Sequence, residues 1–433
     1  MTERVPCRME GCTSTILPAT AARTGGYCMP CVQERERQER QAYIEKHRRT
    51  VNLYENVTDP VEILQIGYAK QVRDPLIRYV PYPKKREELY QELSVGDARR
   101  MKEYALKLLA EGEKDTAIDI LTALVCWRND EISDVLPQLM ERRIYDPGMM
   151  YKDAPPEVRD QLLGQLERDE ENRNLLLLAL GWIGDEAVVN QFQEWRRQAP
   201  AWAKQLYVLP EAYTREAGWE LDEGGGRREL VSPASYGIVV EKDLTAEAVR
   251  DAEEPVGPGF LQPSDQVCPW CHGSLVLLMD VDGAHSSLSG LGLEGRLCIQ
   301  TCERCGGYSD IFMELDEQGM PHWSPYNHEP DYLPDWEEES DGDGIRLPQL
   351  SLSSVPRSPY FAAVWALSQS GSQLGGHPGW VQDAAYPLCP CCSRSMLFIG
   401  QLDGEDIEVY GDGIFYMFYC PKDRMTATCY QQS

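Results

Sequence analysis

The sequence predicts a multidomain α+β protein. Three observations carry that reading: cysteines pair up near both ends of the chain, a helical period runs from Asp97 to about Trp219, and short β-like runs with Gly and Pro punctuation follow Pro263. The 433 residues suit several domains of roughly 100–200 residues each. The expected segments are a cysteine-rich module and charged helix (1–50), a helical domain (51–220), a linker (221–263) and a β-rich α+β domain (264–433).

Composition sets limits on function. With 42% apolar and 26% charged residues, the chain has the make-up of a soluble globular protein rather than a disordered one. Its longest apolar run, 175–184, falls short of the about 20 residues that span a bilayer, so no membrane role is expected. The opening MTERVPCRME lacks the apolar core of a secretory signal, and the expectation is a cytoplasmic protein. In that compartment regularly spaced cysteines are metal ligands rather than disulfides. The net charge of −28 divides into +3 over residues 1–100, −11 over 101–250 and −20 over 251–433. Such an acidic carboxyl half repels phosphate backbones, which argues against direct nucleic-acid binding, and speeds encounter with a basic protein partner.

Taken in order, the elements begin with VQERERQERQAYIEKHRR, Val32 to Arg49, a solvated helix supported by pairs such as Glu36–Arg40. Val51 to Lys85, rich in Pro and Tyr, reads as irregular. Met101, Leu108 and Leu109 line one helix that stops near Gly112, and Ile118, Leu121, Leu124 and Val125 line the next. In NRNLLLLALGWIGDEAVVNQFQEWRRQ, Leu175 to Ile183 predicts a buried helix, Gly184 its end and Asp185 the cap of its successor. Val188, Phe192 and Trp195 give that successor one apolar stripe. Two helices joined this way resemble a HEAT-type repeat, so 51–220 reads as a HEAT-like array. Gly224 to Gly226 and EEPVGPGFLQP mark the linker. The acidic run Asp331 to Gly344 reads as a solvated loop, because a calcium loop started at Glu339 matches poorly.

The cysteines carry the chemistry. Zinc takes four soft ligands in a tetrahedron, and C-x2-C supplies two of them from one tight turn. Cys7 and Cys12 with Cys28 and Cys31 form one complete set, the second pair preceded by Gly25 and Gly26. Cys268 and Cys271 with Cys302 and Cys305 form another. CPWCH at Cys268 also matches a haem-attachment pattern and CPWC a redox dithiol, but neither uses the second pair of thiols. Gly290, Gly292 and Gly295 spell G-x-G-x-x-G, yet a strand-like run follows where a dinucleotide site needs a helix.

The chain also resembles itself. CPWCHGSLVLLMDVDG (Cys268 to Gly283) and CPCCSRSMLFIGQLDG (Cys389 to Gly404) share a knuckle, an apolar run and a closing Asp-Gly. Two copies of one knuckle–hairpin–knuckle unit follow, and both are zinc-ribbon-like. In the second copy Asp423 stands where a fourth cysteine belongs. Either Asp423 or Cys429 completes a third site with Cys389, Cys392 and Cys420, or packing replaces the metal. Two Zn2+ ions are thus expected, with a third site open. Cys391 reads as a bystander, and Cys126 and Cys298 as core thiols.

Four-ligand zinc sites leave no open position for water and act as architecture. No H-E-x-x-H, zinc-deaminase motif, G-x-S-x-G elbow or Walker loop is present, and the expectation is a protein without catalytic residues.

The run SQLGGHPGWVQDAAYPLCPCCSRSMLFIGQLD, followed by YGDGIFYMFYC and YQQS, resembles the YwqG-like bacterial family across about 250–433. That resemblance implies a β-rich α+β domain without known catalytic residues; relatives often carry a fuller second knuckle than Asp423 allows. The opening CRMEGC…LPATAARTGGYCMPC, with its charged helix and TDPVEIL, looks like the start of proteins encoded beside polymorphic toxins. Together these resemblances imply a bacterial immunity protein that binds and neutralises a basic toxin domain. The alternatives are a cytoplasmic adaptor without a toxin, or a cryptic enzyme on the YwqG-like domain.

Overall fold

The computed structural model describes residues 4–240, 259–334, 347–367, 371–407, 411 and 413–433. Residues 339–346, where a calcium loop would start, lie outside them. The chain divides into two units, residues 1–89 and 90–433.

The first unit opens with a small hairpin of β1 (Val5–Pro6) and β2 (Thr15–Ile16), followed by α1 (Pro18–Thr24). Gly25 and Gly26 then turn the chain in left-handed conformations into α2 (Met29–His47), the charged helix. None of its residues is buried, as its sequence requires. β3 (Arg49–Val51) pairs in parallel with β4 (Ile77–Tyr79), and α3 (Pro60–Tyr68) lies between them in sequence. The structure corrects the expectation of an irregular 51–85. The Asp59 side chain accepts a hydrogen bond from Val61 N and caps α3, Pro60 occupies the first turn, and Val61, Ile63 and Leu64 are buried.

After α4 (Arg86–Glu92), the second unit begins its helical part with α5 (Val95–Glu111), capped by Ser94 and closed by left-handed Gly112. It packs on α6 (Lys114–Arg128), whose residues from Ile120 to Trp127 are all buried. α7 (Leu136–Glu141) and α8 (Pro156–Gln165) follow. α9 (Arg173–Ile183) ends at left-handed Gly184, and α10 (Glu186–Arg197) starts where the Asp185 carboxylate accepts from Val188 N at 2.9 Å. Of the expected α10 stripe, Val188 and Phe192 are buried and Trp195 is half-buried.

The β part holds β5 (Trp219–Leu221), β6 (Arg227–Glu229), β7 (Ser235–Val240), β8 (Gly259–Val267), β9 (Ser274–Asp282) and β10 (Arg296–Thr301). It continues through β11 (Ile311–Leu315), β12 (Pro321–Trp323), β13 (Leu350–Arg357) and β14 (Gln373–Gly375). β15 (Leu397–Asp403), α11 (Gly404–Ile407), β16 (Gly413–Cys420) and β17 (Met425–Gln432) complete it. An eight-stranded antiparallel sheet has the order β12-β11-β17-β16-β15-β14-β7-β13, and a three-stranded sheet the order β10-β9-β8. Leu278, Met279 and Ile299 of the smaller sheet share one core with Phe398, Phe415 and Phe418 of the larger. Within the larger sheet the approach of β14 to β15 requires Gly400: a Cβ there would lie 2.5 Å from the Gln373 carbonyl oxygen.

Segment 221–263 is not simply a linker. β5 and β6 form a hairpin, and β7 sits inside the large sheet between β14 and β13. Gly and Pro density concealed the short β5–β6 hairpin and β7, whose partners lie more than a hundred residues away. Among the described residues, no helix is long and apolar enough to cross a membrane.

Candidate metal centres

Three groups of four side chains bring their donor atoms within 4.8 Å of one another: Cys7, Cys12, Cys28 and Cys31; Cys268, Cys271, Cys302 and Cys305; and Cys389, Cys392, Cys420 and Asp423. A zinc–thiolate tetrahedron with bonds of about 2.3 Å has edges of about 3.8 Å. The closest sulfur pairs match that edge, at 3.8 Å for Cys12–Cys28, 3.4 Å for Cys271–Cys302, 3.8 Å for Cys268–Cys305 and 3.7 Å for Cys392–Cys420. The donor sets therefore fit a tetrahedral divalent ion.

The first group is held by the β1–β2 hairpin on one side and the start of α2 on the other. Cys7 N donates to Ser14 O and Arg8 N to Gly26 O, which ties the two knuckles together. Cys28 is the N-cap of α2 and Cys31 lies in its first turn, where hydrogen bonding with Cys28, together with burial, pushes the Cys31 thiol well up. Cys28 N also donates to the Cys7 sulfur at 3.3 Å, and hydrogen bonds from Ser14 draw the Cys12 thiol down to about 6.

The second group lies where β8 and β10 end and β9 begins. Cys268, Cys302 and Cys305 are buried against Leu275, Ile311 and Met313, and Trp270 meets Trp323 edge to face at 5.1 Å. Hydrogen bonds from Cys302 and Cys305 pull the Cys268 thiol below its ordinary value, while Cys268 pushes Cys305 upward. Thiols packed this tightly cannot all ionise unless a cation joins them.

The third group repeats the second group's first knuckle. Cys268 N donates to Gly273 O at 2.8 Å and His272 N to Cys268 O at 3.0 Å; Cys389 N donates to Arg394 O at 2.9 Å and Ser393 N to Cys389 O at 2.8 Å. His272 and Ser393 share the left-handed conformation, at φ 58° and 57°. The fourth donor is Asp423, whose Oδ2 lies 3.2 Å from the Cys389 sulfur and 3.5 Å from that of Cys420. Cys429 lies elsewhere, in β17 opposite Tyr416, with burial pushing its thiol well up.

The remaining thiols stand apart. Cys126 is buried with its sulfur 3.2 Å from Met149 Sδ, and Cys298 donates to Asp280 Oδ1 at 3.3 Å. Burial pushes Cys298 up to about 12 and makes it a poor nucleophile. Cys391 is exposed. One feature had no signal in the sequence: the third knuckle is bound to the β5–β6 hairpin. Ser395 Oγ donates to Glu220 Oε2 at 2.6 Å, Arg228 Nη1 reaches both Glu220 Oε1 (2.6 Å) and Ser395 O (2.9 Å), and Arg394 pairs with Glu223 at 3.1 Å.

Fold and site together define a mixed α+β protein with three thiolate-rich, four-donor clusters able to hold metal. The chain is 40% identical over 439 residues to the uncharacterized protein YpfL of Salmonella typhimurium, an alignment covering all of both chains, and it belongs to that family. No family profile matches it, and neither does any solved structure.

Proposed function

We propose that this chain is a non-enzymatic interaction protein built on structural Zn2+, and that it serves as an immunity protein neutralising a basic toxin domain. The observation that carries the architectural part is the closure of the two all-cysteine clusters by four thiol donors, which leaves no position there for a reacting water. The helical segment, read as an irregular HEAT-like array, and the YwqG-like carboxyl part with its zinc-ribbon-like knuckles then supply the recognition surface. Two features favour recognition of a protein. Residues 251–433 carry a net charge of −20, suited to a basic partner. Tyr207, Val208 and Leu209 form an exposed apolar run beside exposed Leu388.

Elemental analysis of the reduced, chelator-free protein tests the first half. Cys28→Ser and Cys302→Ser are each expected to lose one zinc equivalent, and Cys126→Ser none; equal loss from all three overturns the ligand assignment. The neighbouring gene tests the second half: a large toxin with a short variable C-terminal domain is expected there, and that domain is co-expressed with this chain. Co-purification and protection of the cells are expected, and failure of both removes the immunity reading.

A further inference from the structure

The second and third clusters share a knuckle and differ in what surrounds it. The corner filled by buried Cys305 in one is filled by half-buried Asp423 in the other. The position of Trp270, which packs against Trp323, is taken by Cys391, an exposed thiol between two ligands. Cys392 borders a cleft of about 1160 Å³ and Cys420 a second cleft of about 380 Å³, so solvent approaches the third cluster from two sides.

Ligand chemistry gives these differences a direction. A carboxylate oxygen is a harder and weaker partner for zinc than a thiolate, and a half-buried one is readily displaced by water or a competing donor. Loss of a hydrogen bond supporting a ligand already costs roughly tenfold in metal affinity, and changing the donor itself costs at least as much. The knuckle is also coupled to its surroundings. Through Ser395 and Arg394 it grips Glu220, Arg228 and Glu223 on the β5–β6 hairpin. Knuckle and hairpin together line the larger cleft, which Tyr207 and Leu209 line as well.

We propose that the third cluster is an exchangeable metal site, different in kind from the two all-thiolate clusters, and that its occupancy holds the wall of the adjoining cleft. This rests on the reading of all three clusters as zinc sites. Zinc arriving or leaving at Cys389, Cys392, Cys420 and Asp423 would tighten or loosen the face that the cleft presents, while the rest of the architecture stays intact.

Chelator competition on the reduced full-length protein tests it. Protein loaded with zinc is mixed with excess EDTA, and residual metal and amide exchange are followed in time. The expected result is three equivalents at the start, one lost roughly tenfold or more faster than the other two. Amide exchange should then rise in 219–230 and 389–398 but not in 268–305. Asp423→Cys should keep three equivalents and merge the fast phase with the slow ones, while Cys420→Ser should start with two and lack the fast phase. Release of all three in one phase, a fast phase that survives Cys420→Ser, or only two equivalents even with excess zinc overturns the proposal. Each of those outcomes leaves structural zinc at the first two clusters standing, whereas fewer than two equivalents at the start removes the zinc reading itself.

Discussion

His377 illustrates how position alone retunes a side chain. Its ring packs against those of Trp182 and Tyr360, with centroids 5.1 and 4.8 Å away, and Lys152 sits over Tyr360. Burial, aided by the positive charges of Arg227 and Lys152, pushes the imidazole down to about 3. An unfolded histidine titrates near about 6.5, so between these values the unfolded chain binds a proton that the folded protein refuses. The contribution to stability is complete above about pH 6.5 and declines as the pH falls toward 3, which amounts to about 2 kcal/mol at pH 5. Urea denaturation at pH 7 and pH 5 is expected to show a change in stability on acidification that is about 2 kcal/mol more unfavourable in the wild type than in His377→Phe. Equal pH dependence in the two proteins would disprove it. Nothing in the sequence around His377 announces this environment, because Trp182 and Tyr360 come from distant parts of the chain. The cluster cysteines were legible for the opposite reason: C-x2-C spacing is itself the geometry of a ligand pair. For the fourth donor of the third cluster the sequence offered Asp423 and Cys429, and only the turn between β16 and β17 chooses Asp423.

At the scale of single elements, local chemistry is legible in the sequence and long-range pairing is not. The junction between α9 and α10 was visible because a left-handed glycine and a capping carboxylate act within a few residues. Asp185 also pairs with Arg159, at 2.6 Å. Asp185→Ala is expected to cost about 1 kcal/mol, seen as a lower urea midpoint with an unchanged slope. No shift of the midpoint would show that the cap contributes nothing. α3 was missed although the same kind of signal, Asp59 before Pro60, was present; the prolines and tyrosines around it masked a short apolar face. β7 was missed on other grounds. Its partners are Gly375 and Arg357 for Ser235, and Gln373 for Gly237, so no periodicity within its own six residues identifies a strand inside a sheet.

Over the whole molecule, dependence on metal is unequal. Around the first cluster the buried apolar residues are Cys7, Ile16 and Cys28, too few to hold 4–31 folded without the cluster. Structural zinc supplies apparent binding energy of about 10–16 kcal/mol at pH 7, enough to replace such a core. Removing metal with a strong chelator is therefore expected to expose 4–31 to protease while the helices of 95–197 stay protected. Simultaneous cleavage of both regions would contradict this. The strand borders of the two sheets carry a separate consequence. Pro321 opens the three-residue β12, Pro356 lies at a break in the β13 ladder, and Pro263 at one in β8. The remaining border strand, β10, is buried along all but its first residue. An imino nitrogen cannot donate to an incoming neighbour, and an interrupted ladder cannot template one. Among the described residues, the borders of these two sheets thus offer a visiting polypeptide only short, interrupted or buried strands to extend. The same arrangement protects a sheet this wide from stacking edge to edge with its own kind in a crowded cell.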